Sequence, residues 1–130
     1  MNSVLTVEHL SVHYSLPTGE LFRRRPLTLK AVDDVSFDLR AGETLGVVGE
    51  TGCGKSSLGK GVLQLVRPAA GRVLWEGRDL CTLTPGELKS VRKDLQIIFQ
   101  DPLSSLNPRM TIGEIVAEPL RIHGLYRRGE

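Results

Sequence analysis

Cysteine is nearly missing: only Cys53 and Cys81 occur in the 130 residues. They lie in different sequence environments, which argues against a disulfide framework and fits a reducing compartment. Long apolar runs are missing too, and none approaches the roughly 20 residues that a membrane-spanning helix needs. Work at a membrane would therefore require a spanning part from another subunit. The start, Met1-Asn2-Ser3-Val4, lacks a basic stretch followed by an apolar core, so no secretion signal is expected. No charge of one sign dominates. The formal net charge of +2 gives no argument for nucleic acid or an anionic membrane, and Arg23-Arg24-Arg25 reads as a solvated loop. His9, His13 and His123 have no metal-like spacing, and there are no internal repeats or low-complexity tracts. With 40% apolar and 25% charged residues, the chain has the composition of a globular domain with a real core.

What is present is concentrated in eight residues. Gly49-Glu50-Thr51-Gly52-Cys53-Gly54-Lys55-Ser56 fits the phosphate-loop pattern G-x-x-x-x-G-K-[ST] without mismatch. Gly-rich backbone at Gly49, Gly52 and Gly54 can turn its N–H groups inward as a nest for a polyphosphate. Lys55 can reach the outer phosphates, and the Ser56 hydroxyl can hold Mg²⁺. Glu43 to Val48 reads as a buried strand entering the loop, and Lys55 to Leu65 as the helix leaving it. The positive end of that helix, equivalent to about half a unit charge, favours phosphate at the same spot.

Around this motif the chain reads as an α/β domain. Val4 to Val7, Leu10 to Tyr14, Leu29 to Val32 and Val35 to Leu39 read as short strands. Leu16 to Leu27, with Pro17, Gly19 and Pro26, reads as an irregular or hairpin insertion. Ala41-Gly42 is a turn, and Arg72 to Trp75 is a strand ending at the Glu76-Gly77 turn. Thr84-Pro85-Gly86-Glu87 is a capping box with proline at the first helical position, opening a helix to about Lys93. Leu95 to Phe99 reads as a short apolar strand. Thr111-Ile112-Gly113-Glu114 repeats the capping box, opening a helix that Pro119 should break or kink. Tyr126 to Glu130 shows no finished element, which reads as a cut.

Other residues are weaker signals. Gln100 follows an apolar strand, at the sheet edge where α/β proteins bind ligands, and a neutral amide there can coordinate a metal and orient a water. Asp101 superficially resembles a metal-holding acid at a strand end. The interposed Gln100 and the following Pro102 point to a turn instead. Tyr14 ends an early strand and could stack on an adenine ring, although strand-end tyrosines are commonly core or rim. Cys53 reads as a small side chain that fits the loop, where thiol reagents would block nucleotide. Trp75 reads as packing.

These pieces in this order resemble the ATP-binding subunits of ABC transporters. Leu29 to Phe37 followed by Gly42 to Glu50 is typical of that family's approach to the phosphate loop, and Ile98-Phe99-Gln100-Asp101-Pro102 looks like its Q-loop. Asp101 to Glu114 and the Gly52-Cys53-Gly54 variant resemble the oligopeptide/dipeptide importer branch. The arginine-bearing insertion looks like the second ATPase subunit of those importers. The resemblance covers about Val4 to Leu125.

It implies a P-loop NTPase fold of the ABC ATPase type, with an antiparallel β-subdomain over 1–40 carrying the insertion 16–28. A phosphate-loop core to the Q-loop would span 41–101, and the start of a helical subdomain 102–130. It implies ATP and Mg²⁺ as ligands, held by Tyr14 on the base, by Gly49, Gly52, Cys53, Gly54, Lys55, Ser56 and Ser57 on the phosphates, and by Ser56 and Gln100 at the metal. Lys55 and Gln100 would take the catalytic roles. Leu103 to Arg109 becomes a surface for transmembrane permease subunits. A second ABC ATPase subunit would be the other partner, at the cytoplasmic face of a bacterial inner membrane. The transported solute is left open among peptides and similar compounds. Rivals are a soluble ABC-type ATPase, a truncated binding module without hydrolysis, and a stand-alone kinase or GTPase; the N-K-x-D of a GTPase is absent.

The family's L-S-G-G-Q signature, its apolar strand ending in Asp-Glu and its switch histidine are also absent from these residues, which fall short of them. Phosphoryl transfer depends on positioning and charge stabilisation by all such parts together. The 130-residue chain by itself is therefore expected to bind ATP without turning it over. A steady Mg²⁺-dependent ATPase rate from the purified chain, abolished in Lys55→Ala, would refute this.

Overall fold

The computed structural model describes residues 3–16 and 27–126. The insertion with its three arginines, apart from its first and last residues, and the last four residues lie outside the described residues. Two compact units divide the chain, Met1–Leu83 and Thr84–Glu130.

The first unit is built on an antiparallel sheet of order β2-β1-β3-β4, with β1 at Ser3–Leu16, β2 at Leu27–Arg40, β3 at Ala70–Trp75 and β4 at Arg78–Asp79. The four short strands expected before residue 40 are two long ones. Polar residues that read as strand ends are bulges inside continuous strands: His9 (φ 50°) and Asp34 (φ 56°) both adopt left-handed backbone, and the register shifts around them. Each bulge is tied to the other strand. The His9 N–H donates to Ser36 Oγ at 2.8 Å and the Asp34 N–H to Ser11 Oγ at 3.1 Å, while His9 Nδ1 meets Asp34 Oδ1 at 2.7 Å. Trp75 pairs with Arg78 across Glu76-Gly77, both at positive φ, as a tight two-residue hairpin requires.

Leu5, Val7, Leu10, Val12, Val32, Val73 and Leu80 form the buried core of this unit with Val62 from α1, Lys55–Val62. The helix lies close to the sheet. A Cβ built on Gly61 would come within 2.6 Å of Val12 Cγ2, so a larger residue there would push α1 off β1.

Glu43 to Val48 and Leu95 to Phe99 are not strands, contrary to the sequence expectation. A strand exists only in a ladder, and neither segment has a ladder partner among the described residues. Nor are they buried: Val48 is 93% exposed and Ile98 89%.

The second unit holds α2, Pro85–Val91, and α3, Ile112–Ile122. Both open on complete capping boxes, Thr84 with Glu87 and Thr111 with Glu114. Pro119 does not break α3, which continues to Ile122. Proline removes one backbone donor, while its own carbonyl still accepts from the His123 N–H at 3.0 Å and Leu120 O accepts from Leu125 N–H at 2.8 Å.

The backbone N–H of Thr111, then its hydroxyl, hold the Glu114 carboxyl below its ordinary value of 4.5. A carboxyl depressed in the folded state contributes stability that is present above its unfolded pKa and is lost as pH falls through the folded one. Acidifying from about pH 6 to below the ordinary value of 4.5 should thus shrink the helicity difference between wild type and Glu114→Gln progressively. Far-UV circular dichroism checks this; a difference that persists undiminished at the acid end would contradict it.

Candidate functional site

Backbone conformation shapes the segment from Gly49 to Ser57. Gly52 (φ 85°) and Gly54 (φ 100°) take left-handed angles that carry the chain around a tight loop, closed by the Cys53 N–H donating to Glu50 O at 3.3 Å. Gly54 is also the N-cap of α1, and its Cα lies against β2: a Cβ there would collide with the Ala31 carbonyl oxygen. Only glycine meets both demands.

The start of α1 contrasts with the starts of α2 and α3. It has no side-chain cap hydrogen bond and no acidic residue in its first turn. The free N–H groups of the first turn and the positive end of the helix are left for an anion. Lys55, the first helical residue, adds a cation where the dipole already disfavours one. Its Nζ is held by loop carbonyls, donating to Gly49 O at 2.6 Å and Glu50 O at 2.7 Å, with Cys53 Sγ at 3.4 Å. The donors, the cation and the curved glycine backbone suit a polyphosphate, so the residues present fit that group.

Tyr14, near the end of β1, reaches the same place: its hydroxyl donates to Ser57 Oγ in the first turn of α1 at 3.3 Å. The structure therefore brings together Tyr14, Gly49, Gly52, Cys53, Gly54, Lys55, Ser56 and Ser57 in the first unit. Gln100 belongs to the second unit, where it is exposed at the end of the unpaired segment. Asp101 behaves as a turn residue, its carboxylate accepting from the Ser104 N–H at 3.3 Å. Sequence reading missed Ala31. A backbone carbonyl leaves no mark in the side-chain pattern, and the only trace is the glycine that faces it.

Cys53 and Cys81 are both free thiols; burial pushes the Cys81 thiol up. Among the described residues no cluster of His, Cys, Asp or Glu could hold a metal by itself, so Mg²⁺ here would need oxygens from a ligand as well as a hydroxyl. No helix of the described residues is long and apolar enough to cross a membrane.

A family model described as ABC transporter matches residues 32–127. The oligopeptide transport ATP-binding protein OppF of Haemophilus influenzae is 55% identical over 121 residues, which is 92% of this chain and 36% of that protein. The glutathione import ATP-binding protein GsiA of Shigella dysenteriae is 49% identical over 122 residues, 94% of this chain and 19% of that protein. Among solved structures, the ATP-binding cassette MJ0796 in a dimeric, post-hydrolysis state bound to ADP and Pi superposes with a TM-score of 0.73. It is 26% identical, over 97% of this chain and 49% of that one. The chain thus spans about a third of the length of its OppF relative.

Glycine substitutions separate the strained position from the permissive one. Gly54→Ala is expected to destabilise the first unit by ~2 kcal/mol or more, from positive φ together with the collision at Ala31. Gly59→Ala, inside α1 with nothing within 4 Å of the added Cβ, should stabilise it by about 0.5–1 kcal/mol. Denaturant titration followed by Trp75 fluorescence reads both, because the single tryptophan lies in β3. Similar effects at the two positions would contradict the assignment.

Proposed function

The chain belongs to the ABC transporter family, and on that premise we propose that it is the ATP-binding front part of an ATPase subunit from a peptide-type importer. The observation that carries the reading is the start of α1: an uncapped glycine N-terminus, with Lys55 folded back on the carbonyls of Gly49 and Glu50. The names of the OppF and GsiA relatives, and the ADP and Pi of the MJ0796 cassette, support ATP as the ligand and uptake of peptides or similar solutes as the task.

In this reading the backbone N–H groups of Gly52 to Ser57 bind the phosphates. Lys55 exchanges its two neutral carbonyl acceptors for anionic phosphate oxygens, so charge–dipole contacts give way to ion pairs. The Ser56 hydroxyl would hold Mg²⁺, which would supply neutralisation of phosphate charge. Gln100, a neutral amide, would meet metal and orient water. Tyr14 supplies a flat face to the base. Residues 1–40 form the β-subdomain, 41–101 the phosphate-loop core and 102–130 the start of a helical subdomain. Transmembrane permease subunits and a second ATPase subunit are the partners, with this chain peripheral on the cytoplasmic side of a bacterial inner membrane.

Lys55→Ala should weaken Mg²⁺–ATP binding by roughly 10-fold or more, the scale of a lost hydrogen bond to a charged group. Titration calorimetry checks it; equal affinity in wild type and variant would sink the nucleotide reading.

A further inference from the structure

Tyr14 has more to offer than its ring. Its hydroxyl donates to Ser57 Oγ at 3.3 Å, joining the end of β1 to the first turn of α1 across 43 residues of sequence. A serine hydroxyl has one proton to donate and lone pairs with which to accept. The phenol is the more acidic of the two hydroxyls and so the better donor; with Tyr14 donating and Ser57 Oγ accepting, the Ser57 proton is left to point away from the tyrosine. Ser57 stands in the first turn of α1, the helix whose N-terminal N–H groups receive no side-chain cap.

From this geometry we infer that the Tyr14 hydroxyl is a positioning group for phosphate, acting through Ser57 as a two-step donor relay, Tyr14 O–H to Ser57 O–H to a phosphate oxygen. The inference rests on the nucleotide-binding reading and deepens it. Hydrogen bonds in a chain polarise one another, so accepting from Tyr14 makes Ser57 a better donor. The 3.3 Å separation exceeds the common O–H···O range of about 2.5–3.0 Å, leaving the bond room to shorten when an anion draws the Ser57 proton outward. The site is part-buried, where such a contact is less diluted by water than on an open surface. One side chain thereby serves the base with its face and the inner phosphates with its hydroxyl.

Tyr14→Phe keeps the ring and removes only the hydroxyl, which makes it the discriminating variant. It is expected to weaken both Mg²⁺–ATP and inorganic tripolyphosphate by about 3- to 10-fold in titration calorimetry on the full chain. Tripolyphosphate has no base, so a loss there reports on phosphate alone. In a Ser57→Ala background the same change should cost nothing further, and in a Ser57→Thr background, which keeps the hydroxyl, the loss should return. A loss confined to ATP, no loss, or an equal loss in the Ser57→Ala background would overturn the relay while leaving nucleotide binding intact. Failure of both ligands to bind wild type more tightly than Lys55→Ala would overturn the nucleotide reading, and the relay with it.

Discussion

The Cα of Gly54 lies so close to the carbonyl oxygen of Ala31 that no side chain fits between them. That contact fixes where α1 begins relative to β2, and the geometry of the candidate site follows from it. The N-cap must be a residue without a Cβ, so no Ser, Thr, Asp or Asn can satisfy the first N–H groups from that position. The same glycine supplies the left-handed angle that curls the loop back toward Gly49. At its other end the helix is pressed on β1 at Val12, where Gly61 permits close approach. A short helix is marginal alone, so α1 owes its existence to these tertiary contacts more than to its own propensity.

Of the three α-helices among the described residues, two obey the local rules for starting a helix and the third breaks them. Thr84 and Thr111 cap their own backbones, and Glu87 and Glu114 place acid at the positive end. α1 instead begins with glycine and lysine. A capping serine is worth roughly 1 kcal/mol, and a charge of the wrong sign in the first turn costs about 0.3–1 kcal/mol. Loss of both terms in a chain that applies them correctly elsewhere marks a start shaped for a ligand rather than for stability. In the free protein the carbonyls of Gly49 and Glu50 offset part of the cost by holding the Lys55 ammonium.

This contrast explains what could be read in the sequence. The helix start at Lys55 and both capping boxes are local patterns, with partners within about one helical turn along the chain, and these stand as read. Features that depend on distant partners were less legible. The segments 43–48 and 95–99 have the apolar character of buried strands, but pairing decides whether a strand forms, and neither has a partner among the described residues. The polar breaks at His9 and Asp34 read as strand ends because the clamp that bridges them joins residues far apart in sequence. Pro119 does not end α3: one missing donor is tolerated near the end of a helix that opens on a capping box.

The same distinction bears on how the two halves of the chemistry are held. The phosphate loop follows an unpaired, exposed segment, yet it does not depend on that segment for its shape. It is anchored from the other side, through Gly54 on β2, α1 on β1 and Tyr14 on Ser57. Gln100 also follows an unpaired apolar segment, and the turn beyond it is held by contacts local to residues 101–106, among them Asp101 with Ser104 and Ser105 with Pro102. Among the described residues of its own unit its placement has no comparable anchor. The contacts that shape residues 49–57 are thus internal to residues 1–83, whereas those around Gln100 are local to its own loop, so the two segments are stabilised independently.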